Sequence, residues 1–278
     1  MEQLMELTAW GMEKPTAYGL FHLVFLIGGL AYCAIFAYLL RKSSEKTSNI
    51  ILFSVGAFLL ISEVYKQLFY TYYIGGGEYQ WWIFPFQLCS VPMYLCLIVP
   101  FFKPGKIKNA LYTFLASYNL LGGFLALFEP SGLSHEYVTL TLHAFVWHLL
   151  LAFVGFFLIA SGKVGYKLKD FASSIVIFLI LCGVAETINI VCTLVFGATD
   201  INMFYISPFR TNPIIIFKQI HQATNWVVNL ILYPSMITLG AFLFFLAAMG
   251  IKRMPKKKVK IDFSRIKYRN CISRDSIE

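Results

Sequence analysis

The sequence predicts an all-α fold: a polytopic transmembrane helical bundle of about seven helices, with the N-terminus out and the C-terminus in. Two compositional observations support this prediction. Of the 278 residues, 58% are hydrophobic and only 13% are charged, whereas a soluble domain carries roughly a quarter charged residues. Because a water-facing surface needs more ionic groups than this, we expect lipid to be the main solvent. The third observation is a regular placement of basic residues between long apolar runs.

Seven apolar runs are long enough to cross a membrane, because a helix needs roughly 20 residues to span a hydrocarbon layer of about 30 Å. Each run is continuous, which is typical of transmembrane helices rather than of barrel strands with alternating polarity. In chain order, the runs are 18–40, 50–73, 81–102, 110–128, 138–160, 171–196 and 227–251.

The runs also define the domain organisation. We expect a short extracytoplasmic interfacial segment at 1–17, a seven-helix transmembrane domain at 18–251, and a basic cytoplasmic tail at 252–278. The connection at 197–226 is long for a helical bundle, and long ordered loops are more often functional than short ones. We therefore expect it to fold over the outer face as a cap loop.

Basic residues predict the orientation of the bundle. Three lie in each of the first, third and fifth loops and ten lie in the tail, against three on the opposite side. Basic residues on the predicted cytoplasmic face thus account for the net charge of +9. We therefore expect no nucleic-acid partner. The expected partners are membrane lipids, with anionic lipid headgroups at the basic tail. The sequence indicates no particular protein partner.

Ionisable side chains within the apolar runs gather toward the predicted outer end of the bundle. All five histidines lie in the outer half or outside it, whereas the inner half is almost purely apolar. Such groups are costly in hydrocarbon, so their clustering predicts a polar cavity that opens to the outer leaflet or the outer surface. Within this half, Glu63 and Lys66 are spaced i,i+3 and are expected to pair on one helix face.

The third run places a thiol among polar groups. It reads WWIFPFQLCSVPMYLC, in which Pro85 and Pro92 interrupt helical hydrogen bonding. We expect the helix to bend near Pro92 and to leave backbone polarity free beside Cys89. A buried cysteine usually acts as a small hydrophobe. Cys89 also fits a nucleophile, which requires a histidine within reach to draw off its proton.

His143 and His148, on the fifth run, are the candidates for that histidine, although their spacing places them about 140° apart on a helix. The alternative is that each is satisfied by a neighbouring helix. Glu186 is predicted to lie near the middle of the membrane, where a carboxylate requires a neighbouring cation or a proton. We expect Glu186 to orient the catalytic histidine. The candidate substrate-binding residues are Gln87, Asn119, Asn189, His221 and Arg210.

No motif in the sequence predicts a cofactor. There is no GxxxxGK[ST] phosphate loop and no GxSxG elbow. There is also no HExxH pair of zinc ligands. We therefore expect no cofactor and no metal in the leading hypothesis below.

Three segments, FPFQLCSVPMYL, HAFVWHLLLAFVGFFL and DINMFYISPF, together resemble the YwaF-like family of bacterial membrane proteins. The resemblance covers most of the chain. That family is similar to a eukaryotic multispanning acyltransferase that remodels ether phospholipids, in which a cysteine on the corresponding helix is the nucleophile and a histidine lies nearby. The resemblance implies Cys89 as the nucleophile, His143 or His148 as the base, and the bacterial cytoplasmic membrane as the location. Gln87 departs from the pattern, since a histidine often stands there and glutamine cannot act as a base.

The leading hypothesis is a lipid acyltransferase or transacylase with its cysteine nucleophile in an outer-leaflet cavity. Gln87 or Asn119 would donate to the developing oxyanion. Two alternatives stay open. One is a transporter or permease-type protein in which Glu63, Lys66 and Glu186 carry protons or a solute, although no internal repeat is visible. The other is a metal-dependent lipid hydrolase that uses the outer histidines, with His143 and His221 among its ligands.

Overall fold

The computed structural model describes residues 1–253, which form a bundle of α-helices. The predicted basic tail lies outside the described residues from position 254 onward, so its contact with lipid headgroups stays a prediction. In chain order, the helices are α1 (Glu2–Glu6), α2 (Leu20–Lys42), α3 (Glu45–Ile74), α4 (Val91–Phe101), α5 (Lys106–Phe128), α6 (Val138–Ala160), α7 (Leu168–Phe196), α8 (Ile215–Ala223) and α9 (Trp226–Arg253).

Six of these helices are long and apolar enough to cross a membrane, namely α2, α3, α5, α6, α7 and α9. They coincide with six of the seven predicted runs, and the all-α membrane fold is confirmed. Their outward faces carry large exposed apolar side chains such as Ile27, Ile61 and Val195. Lipid accounts for this exposure, because a water-facing helix would carry polar residues there.

The third predicted run is not one continuous helix, which corrects the sequence prediction. A 3₁₀ turn at Trp81–Ile83 is followed by irregular chain as far as Ser90, and α4 covers only Val91–Phe101. Pro92 lies in the first turn of α4, where its missing N–H costs no hydrogen bond, rather than at a bend inside a longer helix. At 1.5 Å per residue, α4 is about 16 Å long and spans only part of a bilayer.

The broken third run nevertheless traverses the bundle beside α3. Near the end of α3, the Gln67 Nε2 donates to the Ile83 carbonyl at 2.7 Å. Near its start, the Asn49 Nδ2 donates to the Pro100 carbonyl at 3.2 Å. Residues 75–101 therefore run the length of α3 in the opposite direction. Within the described residues the chain crosses the bundle about seven times, six times as a long helix and once as this broken segment.

The core of the bundle is centred on α5 and α6. Within the most apolar stretch of α5, 72% of residues are buried, against 17% for α9, so α5 is the inner helix. Glycines let these two helices approach closely, as small residues do in membrane bundles. A Cβ placed on Gly123 would lie 3.1 Å from the His148 carbonyl, and one on Gly155 would lie 2.9 Å from Leu120.

A cluster of charges joins the elements at the start of α3. Glu45 accepts from Lys108 of α5 at 2.8 Å and from Lys163, between α6 and α7, at 2.6 Å. Lys108 is only 3% exposed, and it also donates to the Asn49 Oδ1 at 3.2 Å. The buried ammonium is thus paired and hydrogen-bonded, which buried charges require.

The connection between α7 and α9 begins with Gly197, whose φ of 67° ends α7 in the left-handed conformation that glycine adopts readily. It contains a short turn at Met203–Tyr205 and then α8. This connection is the segment expected to form the cap, and several of its residues line the cavity described next.

Candidate functional site

A cavity of about 1240 Å³ lies near the end of α3. It is lined by α3, the chain that leads into α4, α5, α6, α7, α9 and the α7–α9 connection. It brings together polar side chains that are distant in the sequence, as the polarity pattern predicts. Five of the predicted site residues line it: Gln87, Cys89, His143, His148 and Arg210. Most of the remaining lining is apolar or aromatic, which suits a ligand with a long hydrocarbon part.

Cys89 lies in the irregular chain two residues before α4 begins. Within the described residues, the backbone N–H groups of Leu88 and Cys89 have no hydrogen-bond acceptor. Proline is responsible in part, since Pro85 and Pro92 prevent a regular helix from forming through this stretch. The Leu88 carbonyl, which Pro92 was predicted to leave free beside the thiol, likewise has no donor among the described residues. Free N–H groups at the start of a helix favour negative charge.

Trp147 connects Cys89 to α6. Its indole Nε1 donates to the Cys89 carbonyl at 2.9 Å, and it lines the cavity directly before His148. The position of the cysteine is therefore fixed relative to the helix that carries both candidate histidines. Trp147 was not predicted as a site residue, although it lies inside the HAFVWH segment. A tryptophan in a membrane-spanning run carries a polar N–H that needs a partner, which was the available signal.

His148 has a defined tautomer. Its Nδ1 lies 2.7 Å from the Ala144 carbonyl, and a carbonyl only accepts, so Nδ1 carries the hydrogen. In a neutral imidazole, Nε2 then holds a lone pair. Nε2 has no hydrogen-bond partner among the described residues, and the side chain lines the cavity. His148 is therefore arranged as a proton acceptor.

His143 and His22 have different environments. The His143 Nδ1 lies 2.6 Å from the Ser62 hydroxyl on α3, and its ring lines the cavity. His22 is fully buried, accepts from the Tyr18 N–H at 2.8 Å, and lies 2.7 Å from the Leu127 carbonyl. Both nitrogens of His22 are thus satisfied, which indicates a structural role.

Glu63 and Lys66 form the expected i,i+3 pair at 2.8 Å, and both line the cavity. Gln67 adds a hydrogen bond to the Glu63 Oε1 at 2.6 Å. The carboxylate is only 3% exposed, so the lysine and the amide compensate its burial. The ion pair therefore contributes polar groups to the α3 side of the cavity lining without adding net charge.

His135 lies between α5 and α6, where it lines both the main cavity and a neighbouring surface depression. Its Nδ1 lies 3.3 Å from the Tyr70 hydroxyl. Burial lowers the pKa of His135 below its usual value, and the positive charges of Lys14 and Lys66 lower it further. The side chain is accordingly neutral at pH 7.

Gln87 holds the α7–α9 connection over the cavity. Its Nε2 donates to the Asn202 carbonyl at 2.8 Å, and its Oε1 accepts from the Phe204 N–H at 3.0 Å. Asn189 of α7 makes a similar pair, accepting from the Met203 N–H at 2.6 Å and donating to the Met203 carbonyl at 3.1 Å. We call residues 202–206 the clamped segment. The two amides hold the backbone of 202–204, and Asn229 and Trp226 donate to the carbonyls of Tyr205 and Ile206.

Four predicted site residues lie outside the cavity lining. Asn119 is buried between α5 and α6 and donates to the Leu115 and Leu151 carbonyls. Glu186 accepts from Asn189 at 3.3 Å. Asn189 supports the clamped segment, as described above, and His221 lies on α8. The catalytic role predicted for Glu186 and the binding roles predicted for Asn119, Asn189 and His221 stay predictions.

The described residues contain no group of three His, Cys, Asp or Glu side chains arranged to hold a metal ion. His143 lines the cavity, but His221 is not among its lining residues. The zinc site considered from the sequence, which joined these two histidines to a carboxylate, therefore has no ligand set in residues 1–253.

The fold and the cavity together define a class: a multispanning membrane protein in which an apolar-walled space is lined by two cysteines, three histidines and an ion pair. Comparison with family models identifies the family. The model of the TMEM164 family matches residues 17–251, and the chain belongs to this family. The match includes every helix that lines the cavity. No curated protein and no solved structure matches the chain.

Proposed function

We propose that this protein transfers acyl chains between membrane lipids, with Cys89 as the nucleophile and His148 as the general base. One observation carries the proposal. Cys89 and His148 line a single cavity between membrane-spanning helices, and among the described residues the Cys89 backbone N–H and the His148 Nε2 have no hydrogen-bond partner. A nucleophile, a base and an oxyanion donor are the three groups that acyl transfer requires.

In the first half-reaction, His148 takes the proton of the Cys89 thiol, and the thiolate attacks the ester carbonyl carbon of a donor lipid. The resulting oxyanion accepts hydrogen bonds from the Cys89 backbone N–H and from the second N–H of Gln87, whose first N–H binds Asn202. The ester C–O bond then breaks, and the leaving alkoxide takes the proton from the imidazolium. The products are an acyl thioester on Cys89 and a lysolipid.

In the second half-reaction, the hydroxyl of an acceptor lipid gives its proton to His148 and attacks the thioester carbonyl. The C–S bond breaks, the thiolate takes the proton back from the imidazolium, and the acyl chain leaves as a new ester. No oxidant, reductant or further co-reactant is needed, because an ester is formed for each ester that is cleaved.

Arg210 fits the binding role that the sequence analysis assigned to it. It lines the cavity, and no carboxylate of the described residues lies within ion-pair distance of its guanidinium. A guanidinium presents several donors in one plane and suits a phosphate or carboxylate group. We infer that it holds the anionic part of a lipid headgroup while the ester lies at Cys89.

The predicted chemistry is also supported by the YwaF-like resemblance, which implies a cysteine nucleophile and a bacterial cytoplasmic membrane location. The transporter alternative has less support. The cavity draws only Glu63, Lys66 and Tyr70 from α3, all in its second half, and no lining residue comes from the start of that helix. A transported solute would lack a route to the end of the bundle marked by Glu45.

The direct test replaces Cys89 with alanine in purified protein reconstituted into vesicles that contain an isotope-labelled acyl donor. We expect transfer to an acceptor lipid to fall by at least about 100-fold, the scale on which activated nucleophiles and bases act. The matched control is Cys192→Ala, because Cys192 is buried on α7 outside the cavity lining. Undiminished transfer by Cys89→Ala, measured by lipid mass spectrometry, would overturn the proposal.

A further inference from the structure

One side of the cavity rim is formed by apolar side chains that are both cavity-lining and exposed. Leu125 of α5 is 51% exposed, and Ile215 and Ile216 of α8 are 74% and 66% exposed. A side chain that borders the cavity and also faces outward marks an opening. Leu125 lies on a membrane-spanning helix, where an exposed leucine faces hydrocarbon. The exposed isoleucines of the short helix α8 extend the same apolar rim, so this side of the opening faces the bilayer rather than water.

The opening continues inward as a gap between α5 and α9. Gly122 lines the cavity from α5, and Pro234 and Ile237 line it from α9. Beyond the gap the two helices meet, because a Cβ placed on Gly240 would lie 2.9 Å from Leu121. At Gly122, in contrast, an added Cβ would meet no atom within 4 Å. The space beside Gly122 is therefore open where the gap enters the cavity.

We propose that this gap is a lateral portal through which the acyl chain of a bilayer lipid reaches Cys89. The inference builds on the proposed function, because the chain that enters is the one to be transferred. Gly122 lies at the inner end of the portal, and Leu125 with Ile215 borders its entrance.

The polarity of the rim argues for an alkyl chain as the occupant. The portal side is apolar and continuous with the lipid-facing surfaces of α5 and α9. The rest of the rim carries Glu129, Ser131 and Asp200, which suit a headgroup or water. A lipid with its headgroup at the polar rim and its chain in the portal would leave no polar group in hydrocarbon and no chain in water, the arrangement that burial energetics favour.

The test measures access to Cys89 rather than turnover. Protein in phosphatidylcholine vesicles is treated with N-dodecylmaleimide, which partitions into the bilayer, or with a sulfonated maleimide, which stays in water. Alkylation of the Cys89 peptide is followed by mass spectrometry. We expect Gly122→Phe to slow the dodecyl reagent about tenfold, as an over-packed passage implies, and to leave the sulfonated reagent unaffected.

Gly183→Phe is the matched control, because Gly183 is exposed on α7, an added Cβ there meets nothing within 4 Å, and the residue does not line the cavity. We expect wild-type rates with both reagents. Leu125→Trp lies at the entrance of the portal and should also slow only the dodecyl reagent. This second variant guards against a local effect of Gly122→Phe on Cys89. Equal dodecyl rates in wild type, Gly122→Phe and Leu125→Trp would overturn the portal, as would equal slowing of both reagents in both variants.

Failure of the portal and failure of the proposed function give different results. Selective slowing of alkylation with no detectable acyl transfer would support the portal and reject the chemistry. Transfer that depends on Cys89 but is unchanged in Gly122→Phe and Leu125→Trp would support the chemistry and reject the portal.

Discussion

The two histidines of α6 illustrate what single residues contribute to the site. Both line the cavity, but they differ in the partner of Nδ1. The Ala144 carbonyl fixes the hydrogen of His148 on Nδ1 and leaves Nε2 as an acceptor, whereas the His143 Nδ1 shares a hydrogen bond with Ser62. The sequence predicted that one of the two would act as the base and left the choice open. Helical spacing does not show which carbonyl or hydroxyl meets a ring, so the choice needed coordinates.

This difference predicts unequal effects of substitution. His148→Gln should lower acyl transfer by about 10²–10⁴-fold, the contribution of a positioned general base. The reason is that the Ala144 carbonyl fixes the His148 hydrogen on Nδ1 and leaves Nε2 as an acceptor, whereas the Ser62 hydroxyl leaves the tautomer of His143 open. His143→Gln keeps a side chain that can hydrogen-bond Ser62. It should lower the rate of acyl transfer by less than about tenfold, which corresponds to the loss of one hydrogen bond. The measurement is the initial rate of transfer in vesicles, and equal losses in the two variants would remove His148 from its assigned role.

Among the elements, the α7–α9 connection shows most clearly where the sequence analysis fell short. The length of this connection predicted a functional loop. It did not predict which contacts hold the loop in place. Phe204 and Tyr205 adopt φ of 54° and 55°, a conformation that costs about 1–3 kcal/mol for a non-glycine residue. Gln87 and Asn189 hold this backbone through paired hydrogen bonds. A sequence shows polar residues at these positions but not the distant backbone that they bind.

Gln87→Leu tests the clamp. The substitution removes the two hydrogen bonds that Gln87 makes to the clamped segment. The Asn202 carbonyl and the Phe204 N–H then lose their partners, which costs roughly 1–3 kcal/mol. Amide hydrogen exchange at 202–206 should therefore quicken by about tenfold or more. Gln222→Leu is the control, since Gln222 is exposed on α8 and should leave exchange at 202–206 unchanged. Unaltered exchange in Gln87→Leu would show that other contacts hold the segment.

The third run is the other element that departs from the prediction. Hydropathy identified a membrane-crossing segment at 81–102, and this segment does traverse the bundle beside α3. The two prolines were read as one bend, whereas they exclude helix over 84–90 and start α4 at Val91. Hydropathy reports only the free energy of transferring side chains to lipid. It therefore does not distinguish a continuous helix from a broken segment that packs against α3 and α6. Because of the break, the Cys89 N–H has no helical hydrogen-bond acceptor among the described residues.

At the scale of the whole molecule, polar groups are divided between the two ends of the bundle. The ionisable groups of the cavity lie toward the end of α3, and the Glu45–Lys108–Lys163 cluster lies at its start. Between them, the centre of α5 is packed against α6 through apolar side chains and glycines. The sequence predicted this asymmetry because burial of a charge is costly wherever lipid is the solvent. The outward orientation of the cavity end rests on the basic loops and stays a prediction.

The proposed mechanism depends most on the Cys89 thiol carrying an acyl group during transfer. The direct measurement is mass spectrometry of the Cys89 peptide after the protein is incubated with vesicles that contain an acyl donor but no acceptor, then quenched in acid. We predict an acyl chain on Cys89 that neutral hydroxylamine removes and that disappears when acceptor lipid is added. Acyl transfer at the full rate with Cys89 unmodified throughout would contradict the proposed mechanism.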